Sequence, residues 1–202
     1  MSRSAPHHQE PPPLTFQALT SRNWKDLETL FGPRGACGGC WCMFWRLPRS
    51  QFNQQKGEGN RAAFQKLARS KAPLGILAYA AEQPVAWCGV APRENYPALE
   101  RSRILKPIDD TPVWSITCLF VSKPFRRKGI TPRLLKAAVA FAMENGARAV
   151  EGYPIEPKKD AMPDPFAWTG IASAFRKAGF KEALRRSETR PIMRYDPSDG
   201  AR

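Results

Sequence analysis

The run Val113-Trp-Ser-Ile-Thr-Cys-Leu-Phe-Val121-Ser-Lys-Pro-Phe-Arg126-Arg-Lys-Gly129-Ile-Thr131-Pro132 decides how this chain folds. Its first nine residues are the strongest strand signal in the sequence. Their far end is continuously apolar, as a central strand covered on both faces requires. From Pro132 to Asn145, residues Leu134, Leu135, Ala138, Phe141 and Ala142 recur at helical spacing. That pattern predicts a helix lying on the sheet and ending at Asn145-Gly146. Between strand and helix lies a short basic loop. Gly129 allows a positive φ angle or the close approach of a ligand. Pro132 suits the first turn of a helix, where its missing N–H costs nothing. The free amides of the loop and first turn then face outward at the positive end of a helix dipole, with Arg126, Arg127 and Lys128 adding charge. Such a unit binds anions. A Walker loop is excluded, because G-x-x-x-x-G-K-[ST] is absent, and G-x-G-x-x-G is absent too.

Upstream, Leu14–Leu19 alternates as a short half-buried strand, and a helix capped by Ser21 or Asn23 reaches about Phe31, with Trp24, Leu27, Leu30 and Phe31 on one face. A helix is predicted over Asn60–Ser70. Leu74–Ala81 and Val85–Ala91 form a hairpin turned at Glu82-Gln83-Pro84. A basic connection follows over Arg93–Asp110, with a short helix near Tyr96–Arg103. Downstream come a strand at Ala149–Tyr153, a Pro-rich loop, a helix over Thr169–Ala178 and short strands near Lys181–Arg185 and Arg190–Tyr195. Strands and helices mixed in this order specify one α/β domain, with a mostly antiparallel central sheet flanked by helices. The domain is expected over residues 14–196, between a disordered tail over 1–13 and a short tail over 197–202.

Val121 followed by Pro124-Phe125 and Arg126-x-x-Gly129-x resembles motif A of the GCN5-related N-acetyltransferases (GNAT). Phe175-Arg-Lys-Ala-Gly179-Phe180 resembles the same family's motif B, and the element order agrees from about Leu14 to Tyr195. The resemblance implies an acyl-CoA N-acyltransferase fold with acetyl-CoA as co-substrate, wedged where the central strand splays from Ala149–Tyr153. Backbone groups of Leu119, Phe120 and Val121 would orient the pantetheine arm. Arg126, Arg127, Lys128, Gly129, Ile130 and Thr131 would hold the pyrophosphate. An amine would attack the thioester directly, helped by orientation and by a backbone amide on the carbonyl oxygen. The chain departs from the family at Thr131, where Gly or Ala is usual. It departs again at Thr169, where Asn is usual, and at Phe175, where a proton-donating Tyr is usual.

A general base is needed to deprotonate the amine. His7 and His8 lie in the tail, which leaves carboxylates: Glu151 first, then Asp109 or Asp110. Tyr153 and Ser173 are the candidate proton donors to the leaving thiolate. A water chain is the alternative to all of them, and each carboxylate also reads as an ordinary paired surface group. By resemblance, Cys40, Trp41, Cys42, Phe44, Trp45 and Arg46 form a wall of the acceptor pocket and favour an aromatic or apolar amine. The same stretch reads equally as core beneath a loop. Cys37-x-x-Cys40-x-Cys42 offers a redox pair. A zinc site would need a fourth ligand, and Cys88 and Cys118 sit singly in strands, so no metal is expected.

Lys and Arg outnumber Asp and Glu by 32 to 18, a formal charge of +14. That field attracts anions. Because the basic residues are scattered, nucleic acid is not the favoured partner. A polycationic acceptor would need Glu151, Glu156, Asp160 and Asp164 to form an acidic mouth, so a small-molecule amine acceptor is preferred to a protein. A GNAT-fold binding protein that contacts RNA or an acidic partner is the alternative. No apolar run reaches membrane-spanning length, no secretion signal is evident, and the expected location is cytoplasmic, with a homodimer open.

Overall fold

Seven strands make one sheet in this computed structural model: β1 (Thr15–Ala18), β2 (Gly75–Ala80), β3 (Gln83–Pro92), β4 (Trp114–Val121), β5 (Val150–Gly152), β6 (Lys181–Arg185) and β7 (Pro191–Tyr195). Their order across the sheet is β1-β2-β3-β4-β5-β7-β6, and every pairing is antiparallel except β4 with β5. Six helices accompany them among the described residues: α1 (Trp24–Phe31), α2 (Arg49–Gln54), α3 (Glu58–Arg69), α4 (Pro97–Glu100), α5 (Ile130–Glu144) and α6 (Ala172–Lys177). The structure describes residues 13–70, 72–157 and 167–200. The tail expected over 1–13 therefore lies outside the described residues apart from Pro13, and so do Asp160 and Asp164 of the suggested acidic mouth. The second expected tail begins instead as a 3-10 turn at Pro197–Gly200.

The sheet is covered on both faces, as its apolar central strand requires. On one face α5 lays Leu134, Leu135, Ala138 and Ala142, all fully buried, over Ile116, Cys88 and Val90. On the other, Leu27 and Phe31 of α1 and Phe64 of α3 close over Leu77 and Trp87. A smaller third cluster, with Tyr96, Leu99, Tyr153 and Ile192, sits at the start of β4. Several bounds differ from the sequence reading. The hairpin turns at Ala81-Glu82 and not at Glu82-Gln83-Pro84, because Gln83 and Pro84 already pair with Ala80 and Tyr79 as the first residues of β3. Helix α2 was hidden because only Phe52 of its six residues is buried, so no apolar period shows. Helix α5 starts at Ile130, because Gly129 itself takes the left-handed conformation and caps it. Helix α6 starts at Ala172, three residues late, because Trp168 and Thr169 form a turn closed by the Gly170 amide on the Ala167 carbonyl.

The register of β3 against β4 shifts between Gly89 and Val90, which pair with Cys118 and Ile116, leaving Thr117 as the extra residue of a bulge. A bulge breaks the strict in-out alternation of a strand. Trp114 and Ile116 face α5, Cys118 then faces α1, and Leu119 faces α5 again.

Candidate functional site

Strands β4 and β5 pair through only three residues each, Trp114–Ile116 with Val150–Gly152. Beyond them β4 continues to Val121 beside β3 alone, so a wedge opens on its other side. Phe175 fills the apex. A Cβ at Gly152 would meet its ring at 2.1 Å and one at Gly170 at 2.7 Å, so both positions require glycine.

At the wide end, the loop after β4 turns through a 3-10 segment, Lys123–Phe125, into α5. Arg127 and Gly129 both adopt positive φ, 60° and 68°. Gly129 does so freely, whereas an arginine there is strained. The Arg126 Nε donates to the Val121 carbonyl at 2.9 Å and folds the loop back on its strand. Among the described residues no backbone carbonyl takes the amides of Arg127, Lys128 or Gly129. A Cβ on Gly129 would meet no heavy atom within 4 Å. With Ile130 and Thr131 opening α5, the result is an open, basic cradle of unpaired amides at a helix N-terminus, the chemistry of an anion site.

The narrow end is different. The Leu119 amide donates to the Trp168 carbonyl at 2.7 Å. Backbone groups alternate across a strand, so Phe120 turns its own toward β3 and Val121 directs its carbonyl to Arg126. Of the backbone expected to be open over Leu119, Phe120 and Val121, the Leu119 amide is therefore engaged by the chain's own turn at 167–170, the Phe120 groups face β3, and the Val121 carbonyl accepts from Arg126. The indole of Trp168 packs against Phe44 and Trp45, with ring centroids 5.3 and 5.9 Å apart.

The predicted acceptor wall divides. Phe44 and Trp45 come together at Trp168, whereas the Arg46 guanidinium lies 4.5 Å over the Tyr96 ring, bonded to its hydroxyl at 3.2 Å. Trp41 instead is 5 % exposed and stacks on Trp24 at 6.1 Å, a core residue and not a wall residue. Cys42 Sγ lies 3.3 Å from Cys118 Sγ and accepts from the Trp87 indole at 3.1 Å. Burial pushes the Cys40 thiol up to about 12 and raises Cys88, while the bond to Cys42, followed by burial, raises Cys118. No group of three His, Cys, Asp or Glu suited to a metal occurs among the described residues.

At the start of β4 a buried network runs from Ser115 through Tyr153. The Tyr153 hydroxyl meets the Ser115 hydroxyl at 2.8 Å, accepts from Arg93 at 2.6 Å and donates to Glu151 Oε2 at 3.1 Å. Glu151 Oε1 is held by Arg194 at 2.7 Å, and Arg194 also binds Asp109 at 2.6 Å. Glu151 is 1 % exposed, as is Tyr153, and with Arg93, Asp109 and Arg194 it lines an open cavity beside the start of β4. Burial first, then the Glu151 charge, raises the Tyr153 phenol well above its ordinary value. The Arg194 bond holds Asp109 down at about 2. Ser173 lies exposed on α6, outside this network among the described residues. The sequence reading missed Trp168, Arg93, Tyr96 and Arg190. Trp168 lies in a Pro-rich loop that carries no periodicity, and buried arginines look like surface charge in a basic chain.

The model of the Acetyltransferase (GNAT) family matches residues 41–161. Comparison with curated proteins gives no match. Among solved structures, a GNAT-family acetyltransferase from Listeria monocytogenes is similar with a TM-score of 0.56 at 7 % identity, over 91 % of this chain and 94 % of that one. AAC(6')-Ib in complex with paromomycin and acetyl-CoA gives 0.54 at 14 %, over 94 % and 96 %. A PaiA N-acetyltransferase from Thermoplasma acidophilum in complex with coenzyme A gives 0.50 at 15 %, over 91 % and 99 %. At such identities the likeness shows the fold.

Proposed function

Because the chain belongs to the GNAT acetyltransferase family, we propose that it transfers an acetyl group from acetyl-CoA to an amine on a small molecule. The observation that carries this reading is the cradle of open amides from Arg127 to Gly129 at the mouth of the β4–β5 wedge. The residues present fit a pyrophosphate: the loop is basic, the amides of Arg127, Lys128 and Gly129 meet no backbone carbonyl among the described residues, and a Cβ on Gly129 would meet no heavy atom within 4 Å. Coenzyme A in the structural relatives supports the same ligand.

Acetyl-CoA supplies the activated thioester. Arg126–Thr131 would hold its pyrophosphate, and the Leu119 amide would polarise the thioester oxygen once the Trp168 carbonyl withdraws. Holding the amine near that carbon converts an encounter into an intramolecular step, and a fixed amide stabilises charge where it develops. The amine's proton would leave along the hydroxyls of Ser115 and Tyr153 toward Glu151. Phe175 has no proton for the departing thiolate, so that proton must come from another group or from water.

One observation favours a second reading, a fold-sharing protein without turnover: the Leu119 amide is already engaged. Melting of the purified protein separates the two. Saturation at 100 times the dissociation constant adds about 2.7 kcal/mol, which is roughly 5–11 °C for a chain of this size. That shift, followed by amine-dependent thiol release, is the expected result. A shift without release under a broad amine panel would leave the binding protein, and no shift would remove acetyl-CoA.

A further inference from the structure

Among the described residues, the groups around the narrow end of the wedge are unbalanced: hydrogen-bond donors and positive charge exceed acceptors and negative charge. Arg190, just before β7, donates to the Thr169 hydroxyl at 3.0 Å and to the Tyr153 carbonyl at 3.4 Å. It has no carboxylate partner among the described residues, and burial lowers its pKa below the ordinary arginine value. Arg46 rests on Tyr96 and likewise meets no carboxylate among the described residues. The indole N–H of Trp45 is buried without an acceptor. An unsatisfied buried donor costs free energy until a ligand or water meets it.

The acids nearby are already committed. Glu151 is held by Arg194 and Tyr153, Asp109 by Arg194, Glu100 by Arg93, and Glu156 by Arg176 and Arg185. A polycationic acceptor would find no free carboxylate among these four. Next to Thr169 in the chain, Trp168 brings an aromatic cluster, Phe44 edge-on to Trp45 and Trp168, with centroids 5.0 and 5.3 Å away. Such walls take a flat apolar body, and a guanidinium fork takes a carboxylate.

We propose that the acceptor is an aromatic amine carrying a carboxylate, of the α-amino acid class, whose carboxylate is bound by Arg190. This rests on the acetyltransferase reading above. Arg190 is the cation to choose because its partner Thr169 follows Trp168, whose carbonyl marks the thioester position at Leu119. In an α-amino acid the carboxylate lies one carbon from the amine, so its anchor must stand beside the reacting amine. Arg46, held over the buried Tyr96 ring, contributes less.

The test uses the full chain with acetyl-CoA and matched probes: L-tryptophan, L-tryptophanamide, tryptamine and the polycation kanamycin. Thiol release should favour L-tryptophan over tryptamine and the amide by about tenfold to a hundredfold in kcat/KM, the usual strength of a bond to a charged group. Arg190→Gln should raise the KM for L-tryptophan by a similar factor, leave tryptamine unchanged and keep the acetyl-CoA melting shift. Arg190→Lys should recover part of the loss. Equal use of L-tryptophan and tryptamine, preference for kanamycin, or an equal loss on both tryptophan and tryptamine in Arg190→Gln would overturn the carboxylate anchor while leaving the acetyltransferase reading in place. Absence of any acetyl-CoA shift in the native protein would end both.

Discussion

The two ends of strand β4 face the same wedge but are built in opposite ways. The wide end is open among the described residues: Arg127, Lys128 and Gly129 offer amides to no backbone carbonyl there, and a Cβ on Gly129 would meet no heavy atom within 4 Å. The narrow end is full: Trp168 bonds Leu119, Phe175 occupies the apex, and Tyr153 ties Ser115, Arg93 and Glu151 together. An open end needs only a local turn and a helix start to exist, so it is ready before any ligand arrives. A filled end has to be rearranged. Binding there is a competition between ligand and chain, and the fraction of molecules with the turn withdrawn scales the apparent affinity.

The largest effect should come from breaking the open end. Gly129→Glu puts a negative charge and a side chain where the anion would lie, at a φ of 68° that disfavours any side chain. Acetyl-CoA affinity should fall by at least about a hundredfold, or about 2.7 kcal/mol, as measured by titration calorimetry on folded protein. Gly129→Asn, which tolerates positive φ, is the control and should keep most of the affinity. If the glutamate variant binds as the native protein does, the cradle is not the phosphate site.

Loosening the filled end should act the other way. Trp168→Ala removes two aromatic contacts, each worth about 0.5–1.5 kcal/mol. The closed turn should lose population, and acetyl-CoA affinity should rise roughly tenfold when the whole of that energy holds the turn shut. An unchanged or weaker affinity would show that the Trp168 carbonyl does not compete with the cofactor arm.

Legibility follows the same division. The open end was readable because its chemistry is local: Pro124-Phe125, Arg126, Gly129 and the apolar period of α5 lie within some twenty residues of one another, and local spacing is what a sequence displays. So were the sheet's central strands, whose apolar runs admit few alternatives. The filled end was not, because it is assembled across distance. Trp168 meets Leu119, Arg93 meets Tyr153, and Arg190 meets Thr169, and no period links these positions. The stretch over Cys40–Arg46 shows the limit most clearly. Trp41 packs in the core, whereas Phe44 and Trp45 meet Trp168 and Arg46 lies over Tyr96, and the positive φ angles of Trp41 and Cys42 turn the chain between them.

Tyr153→Phe tests the frame behind the filled end. Losing the hydroxyl leaves Arg93 and Ser115 each without one buried partner, and an unsatisfied buried group costs about 1–3 kcal/mol. Melting temperature should fall by several degrees, while acetyl-CoA affinity, set at the other end, should hold. If turnover falls further than the stability loss explains, with KM unchanged, the hydroxyl carries the proton. Proportionate loss in both would reduce Tyr153 to a structural tie.

The smallest effect concerns the outer edge of the same frame, where Glu156 binds Arg176 at 2.9 Å and Arg185 at 2.8 Å. These bonds lower its pKa from 4.5 to about 2. A carboxylate whose folded pKa is depressed contributes stability in full above its unfolded value and loses it as pH falls through the folded one. The loss therefore belongs to the window from about pH 4.5 down to about 2. Nearly a third of the Glu156 side chain is exposed, so solvent screening holds the contribution below about 1 kcal/mol. Glu156→Gln should accordingly lower the melting temperature slightly at pH 6 and not at pH 2. A difference that persists undiminished at pH 2 would mean the pair acts through packing. The filled end would then be held by shape alone, and its competition with a ligand would not change with acidity.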